Sequence, residues 1–155
     1  RAVLKDSQTG VGGVLVVGLA LVGLAFGALG VAGAGPRAAL RLVLAAEVSA
    51  KVGMATLAAL GTPGHEGLGS AVVGEADGAA LVPVVAAAAP AVLLAPTGSA
   101  PALVGTLLTG PAVALLVGRW ATTYLGGVTG DVLGAANELG RVAALHVGVI
   151  VWTLW

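Results

Sequence analysis

Two carboxylates and an amide stand among five glycines in Gly126-Gly127-Val128-Thr129-Gly130-Asp131-Val132-Leu133-Gly134-Ala135-Ala136-Asn137-Glu138-Leu139-Gly140. The chain is otherwise almost free of charge, with Asp, Glu, Lys and Arg making up only 9%. Glycine lets backbone N–H groups come close to a bound anion, and a carboxylate beside a membrane is costly unless something pairs with it. Gly127-Val128-Thr129-Gly130 has the make-up of a phosphate nest ahead of a helix N-terminus. It is not a Walker loop, because no Gly-Lys-Ser/Thr follows. With a helix starting near Asp131, a turn of about 100° per residue puts Glu138 within about 20° of Asp131 on one face. Two carboxylates so placed could hold a polar substrate, or join ligands from another helix around Mg2+. The structural alternative is a Thr129 or Asp131 helix cap with a Glu138–Arg141 pair at i,i+3 spacing.

Glu47 and Lys51 lie four residues apart around Ser49, in a stretch otherwise too apolar to tolerate an unpaired charge. They are either a structural ion pair facing a helix bundle or part of a polar cavity that binds substrate. Lys5-Asp6 precedes Ser7-Gln8-Thr9-Gly10 and by itself reads as a solvated helix flank. His65, beside Glu66, reads as a loop surface residue, and His146 as a histidine able to hydrogen-bond to a neighbouring helix. No His-Glu-x-x-His or Gly-x-Ser-x-Gly is present, so neither a zinc protease nor a serine hydrolase is indicated.

The elements that position these groups follow from composition. Hydrophobic residues make up 58% of the 155 and the mean hydropathy is +1.06, far from a soluble domain with roughly 25% charged residues. The chain is read as an integral membrane protein in the lipid bilayer. Residues 78–118 and 7–36 are free of Asp, Glu, Lys and Arg; at about 20 residues per helical crossing, the first stretch is long enough for two and the second for one. The runs are continuously apolar rather than alternating, so the fold class is all-α, a polytopic membrane helix bundle. About five transmembrane helices are expected, at 11–34, 38–60, 79–96, 101–119 and 132–155, with a turn at Pro96-Thr97-Gly98-Ser99-Ala100-Pro101 between the third and fourth. Gly23-xxx-Gly27 reads as a packing face.

If every crossing is real, segments 1–10, 61–78 and 119–131 share one side of the membrane. Arg1, Lys5 and Arg119, with Arg141 near them, then oppose Arg37 and Arg41, which leans towards a cytoplasmic polar face. The formal net charge is zero with no basic run, so nothing suggests nucleic-acid binding. There is no cysteine, which excludes disulfides and thiolate chemistry within these residues. An oligomer is compatible with the composition. The chain opens at Arg1 without an initiator Met and reads as starting partway through a longer protein.

Gly126-Gly127-Val128-Thr129-Gly130-Asp131-Val132-Leu133-Gly134-Ala135 with Asn137-Glu138 resembles the C-terminal signature of the cobalamin (5′-phosphate) synthase family, the adenosylcobinamide-GDP ribazoletransferases. Leu4-Lys5-Asp6-Ser7-Gln8-Thr9-Gly10-Val11-Gly12-Gly13, and the region from Ala46-Glu47-Val48-Ser49-Ala50-Lys51 to His65-Glu66-Gly67-Leu68-Gly69, are similar to the same family in the same order, the second in an archaeal form. The resemblance implies a chain, 1–155, that is the C-terminal transmembrane portion of one membrane domain, without the N-terminal acidic Asp-Gly-Leu-x-Asp-x-x-Asp-Gly portion expected to supply the main magnesium ligands. Glu75-Ala76-Asp77-Gly78 lacks that motif's context. The implied reaction joins alpha-ribazole, or its 5′-phosphate, to adenosylcobinamide-GDP with release of GMP, a phosphoryl transfer that relies on positioning, Mg2+ and cations. The implied roles are Lys5 neutralising diphosphate, and Asp6 and Asp131 as metal or hydroxyl partners. Gly127, Thr129 and Gly130 form a phosphate-binding turn, Asn137 and Glu138 orient substrate or metal, and Glu47 and Lys51 line the cavity. The rival reading from another class is a small-solute transporter or channel subunit, with Glu47 and Lys51 on the solute path.

Overall fold

The computed structural model describes residues 11–65, 67, 69, 71–93, 95, 96 and 98–155. Regular structure among them is helical: α1 (Val11–Ala32), α2 (Pro36–Leu60), a 3-10 turn at Gly78–Ala80, α3 (Leu81–Ala88), α4 (Pro90–Leu93), α5 (Ala100–Leu125) and α6 (Gly130–Leu154). The expected all-α architecture is therefore found. Helices α1, α2 and α5 are long and apolar enough to cross a membrane. Helix α6 has the length, at 25 residues, but its first half carries Asp131, Asn137, Glu138 and Arg141.

The clearest departure from expectation is the stretch 79–96. It is not one helix but a 3-10 turn and two short helices, broken at Ala89 before Pro90. A proline at that point has no N–H to give to the preceding turn, and its ring clashes with the carbonyl four residues back. Asp77 starts the segment as a cap, its side chain accepting from the Ala79 N–H at 3.0 Å. Helix α5, expected to end at Arg119, runs on to Leu125 and stops where Gly126 takes the left-handed conformation at φ 85. Arg119 is therefore not a helix boundary.

The connection between α1 and α2 is only three residues long and turns at Gly35, φ 81, before Pro36 at the first position of α2. Helix α2 and α5 run in the same direction, towards the end where residues 61–74 and 126–130 lie, and α6 and α1 return from it. A parallel α1–α6 pairing follows from glycine contacts in register. A Cβ on Gly23, Gly27 or Gly30 would meet Val142, Leu145 or Val149 respectively within 3 Å, so the Gly23-xxx-Gly27 face is a packing face for α6.

The core divides into two clusters. Leu42, Ala45, Ala46, Leu103, Ala144 and Leu145 fill the half away from the loops, and Leu57, Val73, Ala114, Val128, Val132 and Ala136 fill the half beneath them. Between the two, α2 and α5 cross too closely for a side chain, and α6 packs against the crossing at ordinary contact distance. A Cβ on Gly110 of α5 would sit 2.0 Å from the Ser49 carbonyl oxygen, and one on Gly140 would sit 3.5 Å from the Gly110 Cα.

The crossing also explains why Pro111 does not break α5. Proline at 111 leaves the Leu107 carbonyl without its usual donor. The Ser49 hydroxyl supplies one, donating to Leu107 O at 3.0 Å, and accepts from the Gly110 N–H at 2.7 Å. Ser49→Ala is expected to cost about 1–3 kcal/mol, because it leaves the Leu107 carbonyl buried and unpaired. Gly110→Ala, which forces the helices apart, is expected to abolish the folded bundle. Thermal unfolding of the purified protein in detergent checks the first and recovery of monodisperse protein the second.

Candidate functional site

Two regions of the fold hold the polar residues. The first is the rim at the loop end. Val128 donates its N–H to Thr62 O at 2.7 Å, and Gly64 donates to Val128 O at 3.0 Å, so the 61–64 and 126–130 segments are stitched together. The expectation from parity that 61–78 and 119–131 share one side is met directly, by hydrogen bonds between them. Segment 1–10 lies outside the described residues, and with it Lys5 and Asp6, but Val11 at the head of α1 is at this same end.

The stitching engages part of the segment that holds Gly127, Thr129 and Gly130, the residues read as a phosphate-binding turn. The Gly127 N–H is engaged by Ala121 O and that of Val128 by Thr62 O. The Thr129 hydroxyl caps α6, accepting from Val132 N–H at 3.4 Å. Over the helix start, Gly69 approaches so closely that a Cβ there would lie 2.5 Å from Gly130 N, while one on Gly127, φ 149, would lie 2.6 Å from Gly64. Gly64, Gly69 and Gly127 are there for loop-on-loop contact, whereas a Cβ on Gly130 would meet open space. Asp131, in the first turn of α6, is exposed and makes no ion pair or side-chain hydrogen bond among the described residues. A carboxylate there interacts favourably with the helix N-terminus and stays available to solvent.

The second region is a chain of polar side chains between α2 and α6. Lys51 Nζ donates to Asn137 Oδ1 at 2.8 Å, and Asn137 Nδ2 donates to Glu138 Oε1 at 2.9 Å. The same Glu138 oxygen accepts from Arg141 Nη2, and Arg141 Nη1 lies 3.3 Å from Glu47 Oε1. Glu47 and Lys51 thus do not pair with each other; each reaches across to α6. The Glu138–Arg141 pair at i,i+3 is present, as its spacing allows. Asn137 is 8% exposed, so its amide is the fixed centre, while the Glu47 and Glu138 side chains keep 41% and 45% of their surface.

Arg141 is the residue that sequence reading passed over as a site member. It is the one cation among the described residues that bridges carboxylates on two helices, and its Nε is buried without a hydrogen-bond partner. Its only signal in the sequence was the spacing to Glu138. Glu138 and Asp131, read as sharing a face, have different surroundings: the first is committed to Arg141 and the second faces solvent. His146 bonds within its own helix, Nδ1 lying 2.9 Å from Val142 O. No group of three His, Cys, Asp or Glu side chains that could hold a metal ion occurs among the described residues.

Fold and site together define a helical membrane protein whose polar groups collect between two helices and at one rim. The chain matches the model of the family described as "Cobalamin-5-phosphate synthase" over residues 1–149, and it belongs to that family. It is 47% identical to an "Adenosylcobinamide-GDP ribazoletransferase" of Haloquadratum walsbyi, over 99% of this chain and 61% of the relative. It is 50% identical to one of Halorubrum lacusprofundi, over 99% and 62%, and 47% identical to one of Halobacterium salinarum, over 99% and 76%. The chain spans about three fifths of the length of the first two of these relatives. No solved structure matches it.

Arg141→Met is expected to destabilise the protein by about 1–3 kcal/mol, because it leaves two partly buried carboxylates without their shared counter-ion. The quadruple change Glu47→Gln, Glu138→Gln, Arg141→Met and Lys51→Met should recover much of that loss, since no lone charge then remains in the chain of side chains. Denaturation midpoints of the variants in one detergent give the comparison.

Proposed function

We propose that the protein containing this chain transfers alpha-ribazole, or its 5′-phosphate, onto adenosylcobinamide-GDP with release of GMP, in the last steps of cobalamin biosynthesis. The observation that carries this reading is identity of 47–50% to ribazoletransferases across 99% of the chain. Chemically it is a phosphoryl transfer. A substrate hydroxyl oxygen forms a bond to the cobinamide-side phosphorus of the diphosphate and loses its proton, and the bond from that phosphorus to the bridging oxygen breaks with GMP leaving. Such reactions are accelerated mainly by in-line positioning and by stabilising the charge on the phosphoryl oxygens.

The rim and the α2–α6 chain divide these tasks. Asp131 is the solvent-facing carboxylate at the rim and a suitable partner for the attacking hydroxyl. Lys51 and Asn137 offer donors to substrate oxygens, and Glu47 with Glu138 fixes Arg141 beside them. Lys5 and Asp6, outside the described residues, enter this reading through the family resemblance of their sequence, as a diphosphate-neutralising cation and a metal or hydroxyl partner. The GDP and ribazole moieties are hydrophilic, and a polar rim at one membrane face, read as the cytoplasmic one, suits them.

Magnesium belongs to this reading as an electrophile for the diphosphate, with Asp131 and Asp6 as contributors. The described residues by themselves do not make its site: they hold no cluster of three acidic or imidazole ligands, and Glu47 and Glu138 are taken by Arg141. No step here is routed through it.

Asp131→Asn in the complete protein is expected to abolish ribazole transfer while leaving membrane insertion intact. GMP release that depends on both substrates measures the activity, and resistance of the membrane-bound protein to carbonate extraction measures insertion. Wild-type turnover in that variant would remove Asp131 from the mechanism.

A further inference from the structure

Lys51 lies nine residues before the end of α2, which at about 1.5 Å of rise per residue is roughly 14 Å from the loop end. Glu138 and Arg141 lie eight and eleven residues into α6, roughly 12 and 16 Å from the same end. The chain of side chains from Lys51 to Arg141 therefore sits at hydrocarbon depth, yet Lys51 is exposed and Glu47 and Glu138 keep close to half of their surface. Lipid cannot hydrate these groups, and facing it would cost several kcal/mol for each charge.

The fold leaves room for something else. A cleft of about 550 Å³ separates α2 from α3, lined by Glu47, Val48, Lys51 and Val52 on one wall and by Pro83, Val84, Ala87 and Ala88 on the other. None of the residues of α3 is buried, so this wall is not packed shut. The opposite end of the bundle is closed by the apolar cluster around Leu42, Ala46, Leu103 and Ala144, with Thr106 bonded to its own helix at Ala102 O and Gly148 pressed against it.

We infer that this cleft is a blind, water-filled vestibule, open only on the side of the membrane where residues 61–64 and 126–130 lie, and that it takes an anionic oxygen group on Lys51. Arg141 is placed against both carboxylates, whereas Lys51 touches only the neutral Asn137 amide. The Lys51 ammonium, which lines the cleft without a carboxylate partner among the described residues, has two further donors to give. Water in the cleft hydrates Glu47. This deepens the reading above by assigning a place to a phosphate group of the substrate.

The 155 residues contain no cysteine, so a single introduced thiol reports on its own position in this part of the protein. Val48→Cys in the complete protein, in sealed vesicles of either orientation, is treated with a membrane-impermeant charged thiol reagent. The controls are Thr62→Cys at the rim and Leu116→Cys on the outer face of α5. Modification of Val48→Cys is expected from the side that labels Thr62→Cys and from that side only, at least about tenfold faster than at Leu116→Cys, which hydrocarbon shields. Inorganic pyrophosphate should slow it severalfold, and adding Lys51→Gln should remove that protection, read as the ratio of the rates with and without pyrophosphate in the same variant.

Ala87→Cys on the facing wall repeats the measurement should Val48→Cys fail to insert. Absence of labelling at both positions, or labelling from both sides, would overturn the vestibule. Labelling without pyrophosphate protection, or protection indifferent to Lys51→Gln, would overturn the anion site. None of these readouts needs turnover. Labelled and protected protein that releases no GMP would therefore count against the proposed reaction and not against the vestibule.

Discussion

The position of every polar side chain in the membrane interior depends on how closely α2 and α5 approach at Ser49 and Gly110. No side chain fits between them there, and the Ser49 hydroxyl serves two α5 backbone groups at once. That contact fixes the sliding register of α2, and Glu47 and Lys51 are only two residues away on either side. A shift by one turn, about 5.4 Å, would take Lys51 away from Asn137 and Glu47 away from Arg141. In a bilayer the helices gain little from hydrophobic attraction to one another, so close backbone packing and interhelical hydrogen bonds have to set the register.

The polar chain between α2 and α6 has the opposite character. Its ion pairs are partly hydrated and its charges sum to zero, so it contributes less to stability than its number of contacts suggests. Its value is positional. Asn137, nearly buried, holds Lys51 on one side and Glu138 on the other, and Arg141 ties Glu138 to Glu47 on a second helix. A substrate approaching from the rim meets groups whose directions are already set, which is how electrostatic stabilisation of a phosphoryl group works best.

At the rim, the glycine-rich signature illustrates how one residue pattern serves two kinds of close approach. Gly126 to Gly130 has the composition of an anion nest, and the sequence alone cannot separate that from a site where another backbone arrives. The structure brings Gly64 and Gly69 into that space. What remains polar and open there is Asp131, whose exposure the sequence did not reveal, since capping and catalysis both favour an acid in the first turn of a helix.

Much of the fold was legible because membrane helices obey a simple rule. Uncharged runs of sufficient length must be helical, and counting their crossings placed 61–78 and 119–131 on one side before any contact was known. Residue chemistry also marked Glu47, Lys51, Asp131, Asn137 and Glu138 as too costly to be incidental in such runs. Which of these meet was decided by tertiary structure alone. Glu47 and Lys51, adjacent on one helix, turn to different partners on α6, and Arg141 becomes the centre because the Ser49–Gly110 crossing brings α2 to that depth. Pro111 leaves α5 unbroken while α4 begins anew at Pro90, and the difference is a hydroxyl on another helix. Period and composition describe one segment at a time, whereas register between segments is set by contacts distant in the chain.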